Sequence, residues 1–211
     1  MQEVIDYFST HGTEYLQLLA EHIGVSALAL LVAVIIAVPV GILCSRSALA
    51  EKISIGAASV LRIIPSLAIL IFLVPVLGTG VFPAVVALTV LAIPPILINT
   101  AVAFRTIPAD ILEAAAGMGM STARTFLTVK APLAFPAAFT GFRTAAIEVI
   151  ASTTLAAYIG GGGLGEIIVT GMGLMRTDLL WIGGLSVAIL SIVVSQILAH
   201  VDKRVRRYEC A

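Results

Sequence analysis

From Ile63 to Phe104 the chain runs for 42 residues without a charged side chain. As one helix, rising about 1.5 Å per residue, that stretch would reach roughly 63 Å, about twice the ~30 Å of hydrocarbon in a bilayer. It must therefore cross a membrane, turn, and cross again, and Gly78-Thr79-Gly80 supplies the turn. The whole chain agrees: 60% of its 211 residues are apolar, 11% are charged and the mean hydropathy is +1.12. A soluble domain carries about a quarter charged residues. The expected fold is all-α and polytopic.

Five spans are predicted, over residues 23–45, 55–77, 81–104, 133–159 and 180–201, with Trp181 at an interfacial belt position. Residues 1–22 hold Glu3, Asp6, Glu14 and Glu21 but no Lys or Arg, so they lack the basic start of a secretory signal. They read as an extracytoplasmic segment, either a short interfacial helix presenting Tyr15, Leu18, Leu19 and His22 or a loose tail. With five spans, Arg46, Lys52, Arg105, Arg124, Lys130, Lys203, Arg204, Arg206 and Arg207 share one side, and Arg176 stands on the other. The positive-inside rule then puts the N-terminus outside, and the loop 105–132 and the basic tail 202–211 in the cytosol. Cys44 and Cys210 are expected to be free thiols at the reducing face. A formal net charge of zero removes the electrostatic case for nucleic-acid binding. His11, His22 and His200 have no metal-ligand spacing, are expected at the interfaces, and call for no metal or cofactor.

The loop 105–132 is too ordered in its signals for a plain connector. Pro108 suits a helix start, Gly119 a helix end, and Ser121 or Thr122 the cap of a second short helix that stops before Pro132. Ala114, Ala115 and Ala116 keep the first helix slim enough for another protein's groove to close on it, and Glu113 offers one charge-assisted contact.

Glu113-Ala114-Ala115, then Gly119, then Val129 and Ala131-Pro132 resemble the EAA loop of type I importer permeases of the ATP-binding cassette (ABC) class, with Ala131 where that pattern has Leu. Ile64-Pro65-Ser66-Leu67-Ala68, Arg143-Thr144-Ala145-Ala146 and Gly160 to Gly165 are similar to permeases for osmoprotectants such as glycine betaine, carnitine and choline. Arg62 stands where an uncharged polar residue is expected, and Glu148 where an aliphatic one is. The resemblance implies a bacterial inner-membrane subunit with the importer permease fold and no catalytic residue of its own. It also implies a partner set: a cytoplasmic ABC ATPase docked on Glu113, Ala114, Ala115, Gly119 and Pro132, an extracytoplasmic substrate-binding protein, and a second permease copy or a related permease. No Walker A sequence occurs, so ATP hydrolysis falls to that partner ATPase. The solute is an osmoprotectant or, alternatively, an amino acid or related betaine.

Arg62, Arg143 and Glu148 are the charges inside predicted spans, where each needs a partner or water. With Pro65 and Ser66 they are candidates either for the translocation pathway or for interhelical bracing, and an Arg62–Glu148 pair is one such brace. Pro65, Pro94 and Pro95 either free carbonyls toward a cavity or kink helices for packing. Phe135, Phe139 and Phe142 form a stripe suited to packing or lipid contact, with cation-π binding as the alternative. Gly160, Gly162 and Gly165 satisfy a dinucleotide-binding spacing without the preceding strand, so residues 160–179 read as an external gate loop or a connector. A passive channel and an intramembrane enzyme are the rival classes; the enzyme lacks a second intramembrane acid to pair with Glu148.

Overall fold

A computed structural model describes residues 2–206, with side chains from Tyr7 to Arg204; Arg207 and Cys210 lie outside the described residues. The elements are α1 (Gln2–Cys44), α2 (Ala48–Leu61), α3 (Ser66–Leu77), α4 (Val81–Arg105), α5 (Ala109–Gly117), α6 (Thr122–Thr125), α7 (Ala131–Ala156), α8 (Gly165–Gly173) and α9 (Thr177–Arg206). Four helical stretches are long and apolar enough to cross a membrane, and the bent pair α2–α3 brings the number to five. There are no strands among the described residues.

The core is a sandwich of α1, α4 and α7. Ala29, Ala33 and Ala37 of α1 meet Leu88, Ala92 and Ile96 of α4 and Ala145, Ala146 and Val149 of α7. Lipid tails are as apolar as leucine, so helices associate here through close packing, and small residues spaced by four permit the approach. Gly141 takes this furthest: a Cβ there would stand 2.5 Å from the Pro95 carbonyl oxygen. Both Pro94 and Pro95 are buried within a continuous α4, and Asn99 Nδ2 donates to the Pro95 carbonyl over 2.8 Å.

Three features depart from the sequence expectation. The N-terminal segment is not a separate piece: α1 runs on from it, bending at His11 (φ −116, ψ 16), where the ring stacks on Tyr7. Its 43 residues would extend about 65 Å, more than twice the hydrocarbon, so a large part stands clear of it. That part packs through Tyr15, Leu18 and Leu19 against Ile167, Leu179 and Ile182 of α8 and α9.

Secondly, the expected span 55–77 is broken. Pro65 disfavours helical geometry at Ile64, the chain leaves the helix after Leu61, and α3 restarts at Ser66 bent by 88°.

Thirdly, the second loop helix does not stop before Pro132. A π-helical turn over Phe126–Lys130 carries α6 directly into α7, with the Ala131 N–H reaching back five residues to the Phe126 carbonyl. Pro132 has no N–H to continue the ordinary ladder, and the wider turn absorbs that loss without ending the helix.

Candidate functional site: a loop helix and an ion pair at the α2–α3 elbow

One end of the bundle is built around α5. Its C-terminus closes as a Schellman motif: the Gly119 N–H bonds the Ala116 carbonyl at 2.9 Å and the Met120 N–H bonds the Ala115 carbonyl at 3.2 Å. That closure requires the left-handed backbone at Gly119, φ +72. Ser121 then caps α6 by accepting the Arg124 N–H. Phe104 at the end of α4 stacks on Phe126 at 5.8 Å between ring centroids, fastening the second half of the loop to the body. Glu113 and Ala114 are exposed while Ala115 is buried, so α5 offers one face outward. Behind it lies a cleft of about 970 Å³ lined by Arg46, Arg105, Leu112, Met120 and Lys130. Glu113, Ala114, Ala115 and Gly119 thus form one compact unit; Pro132 is exposed but sits beyond the π-helical turn, at the start of α7.

The second site lies at the α2–α3 elbow. Arg62 Nη2 donates to Glu148 Oε1 of α7 at 2.9 Å. The pair opens on a cavity of about 290 Å³ lined by Ile64, Pro65, Ser66, Leu91, Pro94 and Ser152. Arg62 still has the helical backbone of α2 (φ −69, ψ −17), with its N–H bonded to the Ala58 carbonyl at 3.2 Å, so it stands on the last turn before the break. Arg143, although five residues from Glu148 on the same helix, does not join it, and no carboxylate among the described residues lies within ion-pair distance of it. Phe135, Phe139 and Phe142 do stack along α7, at 5.8 Å between successive centroids.

Sequence reasoning missed a buried polar cluster at the other end. His22 is fully buried within the protein, and its Nε2 bonds the Ile150 carbonyl at 3.0 Å; one turn on, Ser26 bonds Thr153 at 2.9 Å. The glycine-rich loop seals this junction. Glu21 accepts the Gly163 N–H, and a Cβ on Gly165 would meet the Thr154 carbonyl oxygen at 2.1 Å. Close approach, and not phosphate binding, explains these glycines. No pattern in the sequence marked His22, because a lone histidine in an apolar helix looks the same whether buried or interfacial.

The described residues thus form a bundle of apolar helices long enough to span a membrane, with an ion pair at an elbow and a short helix projecting from one end. The family of binding-protein-dependent transport system inner membrane components matches residues 33–207, and the chain belongs to it. It is the permease subunit of an ABC importer in the inner membrane, a class that works with ATPase and binding-protein partners and as paired permeases. The chain is 39% identical to the carnitine transport permease protein OpuCB of Listeria monocytogenes and 38% identical to the choline transport system permease protein OpuBB of Bacillus subtilis. Each match covers 97% of this chain and 94% of the relative. Among solved structures, the inward-facing methionine ABC transporter MetNI matches with a TM-score of 0.79, at 22% identity over 90% of this chain and 95% of that one. An amino acid ABC transporter matches with a TM-score of 0.74, at 15% identity over 93% and 96%.

Proposed function

We propose that this permease carries a small osmoprotectant of the glycine betaine, carnitine or choline type into the cell. The observation that carries the reading is the end-to-end likeness, at 36 to 39% identity, to permeases named for those solutes. The N-terminus lies outside, the C-terminus inside, and α5 points into the cytosol; the basic residues of the loops support this orientation. Residues 1–22 then form an extracytoplasmic extension and residues 23–201 the transmembrane domain. The α5 unit docks the ATPase through Glu113, Ala114 and Ala115, with Gly119 holding the angle between the two loop helices and Pro132 starting the helix that transmits movement. ATP-driven closure of two ATPases draws two such loops together and favours one state of the permease pair, a population shift driven by differential binding. Arg62, Pro65, Ser66 and Glu148 border the pathway, and Arg143 lies one turn and a half away on the same helix.

The test is uptake by proteoliposomes holding the permease with its ATPase and binding protein. ATP-dependent accumulation of glycine betaine, carnitine or choline is expected. Accumulation of none of the three, with ATP hydrolysis intact, overturns the reading.

A further inference from the structure

The Arg62–Glu148 pair stands at an unusual depth for exposed charges. Its cavity is bounded by Leu91 and Pro94, near the middle of α4, so the pair lies near mid-membrane. Yet the two side chains remain 47% and 39% exposed. An ion pair at that depth cannot face hydrocarbon without a cost of several kcal/mol, so this face of the chain must meet water or protein. The pair sits where α7 faces the α2–α3 elbow and Leu91 and Pro94 of α4, and the cavity opens there.

A buried brace would have both charges packed and saturated. Here one contact of 2.9 Å joins the partners, and both line the cavity together with Ser66 and Ser152. The volume of about 290 Å³ is at the small end for ligand cavities, about 300 to 1,000 Å³. Its other walls are apolar: Leu61, Ile63, Ile64, Leu91 and Pro94. Such a site matches a small solute with a cation wrapped in alkyl groups at one end and a carboxylate at the other. Arg62 offers the carboxylate a two-pronged donor, Glu148 offers the cation a counter-charge, and the aliphatic walls accept methyl groups that cannot hydrogen-bond.

Resting on the osmoprotectant reading above, we infer that Arg62 and Glu148 form a transmembrane subsite for a zwitterionic solute. The solute enters by exchange: it replaces the contact between the two side chains with one contact to each, so no charge is left uncompensated in the membrane during passage. A purely cationic solute meets Glu148 alone.

The experiment compares glycine betaine, a zwitterion, with choline, a cation, in proteoliposomes holding the complete transporter. Arg62→Gln should lower glycine betaine uptake at least tenfold more than choline uptake, whereas Glu148→Gln should lower both about tenfold. Arg62→Lys, which keeps the charge but loses the two-pronged donor, should fall between wild type and Arg62→Gln for glycine betaine and stay within a few-fold of wild type for choline. The exchanged pair, Arg62→Glu with Glu148→Arg, rebuilds an interhelical brace but turns its polarity end for end, and should remain impaired. Hydrolysis of ATP stimulated by loaded binding protein reports that each variant assembles. Equal losses for the two solutes in Arg62→Gln, or full recovery in the exchanged pair, would overturn the subsite and leave the osmoprotectant reading standing. Wild-type protein that moves neither solute overturns that reading first.

Discussion

His22 of α1 donates through Nε2 to the carbonyl oxygen of Ile150 in α7, 3.0 Å away and wholly out of solvent, linking two helices separated by 128 residues in sequence. The carbonyl can only accept, so Nε2 carries a proton and is the donor. With Ser26–Thr153 one turn further, this bond sets the rotation of α1 against α7. Replacing His22 by Ala removes the bond and leaves a cavity, which should cost about 1 to 3 kcal/mol. A lower unfolding temperature of the detergent-solubilised complex, with ATPase retention unchanged below it, is expected; an unchanged melting curve would remove this bond from the determinants of α1 packing.

The glycines divide into those the packing requires and those it does not. At Gly165 a methyl would sit 2.1 Å from the Thr154 carbonyl oxygen, whereas at Gly184, within α9, it would meet nothing within 4 Å. Gly165→Ala should therefore destabilise by about 1 to 3 kcal/mol through overpacking. Gly184→Ala should be neutral or slightly stabilising, by up to about 1 kcal/mol from helix propensity. Thermal melting of the two purified variants separates them, and similar curves would contradict the tight junction.

Coupling is tested at Gly119, whose Cβ would meet no neighbour but whose φ of +72 is strained for any other residue. Gly119→Val should disrupt the Schellman closure and re-aim α6, while Glu113→Ala removes an exposed charge that a docked ATPase would bury. Truncating such a group at an interface costs roughly 2 to 5 kcal/mol. Both variants should insert normally yet lose uptake, with the ATPase either released or hydrolysing without transport. Wild-type uptake and stimulated hydrolysis in both would rule out α5 as the joint.

Orientation is checked by thiol labelling of intact cells. Cys44, half-buried and bonded through Sγ to the Ser54 hydroxyl at 2.9 Å, should escape a membrane-impermeant reagent, and a Thr79→Cys variant should react. Peptide mapping distinguishes Cys44 from Cys210. Modification of native Cys44 from outside would reverse the topology.

Much of this was readable along the chain. The uncharged run from Ile63 to Phe104 marked apolar helices turning at Gly78-Thr79-Gly80, through a local cost, that of burying charge or unpaired backbone in hydrocarbon. The start of α5 after Pro108, its end at Gly119 and the cap at Ser121 were equally readable, since each depends on the backbone preferences of a few adjacent residues. Two local outcomes escaped the one-dimensional pattern. Pro65 was visible as a kink, but its sharpness depends on where α3 packs against α4 and α7. Pro132 looked like a stop, yet the π-helical turn before it lets the helix run through.

His22 and the Arg62–Glu148 contact belong to tertiary structure alone. The residues of the ion pair are 86 positions apart, and those of the histidine bond 128. Sequence by itself determined that the chain is a polytopic helical membrane protein, the charge bias that argues for one orientation, and the likeness that points to its family, because hydropathy, charge and local dihedral preference are properties of neighbours. Which helix faces meet was decided only by packing: small residues let α1, α4 and α7 approach closely, and that approach chose one rotation for each helix. With those rotations set, one buried histidine found a carbonyl, and two costly charges found each other.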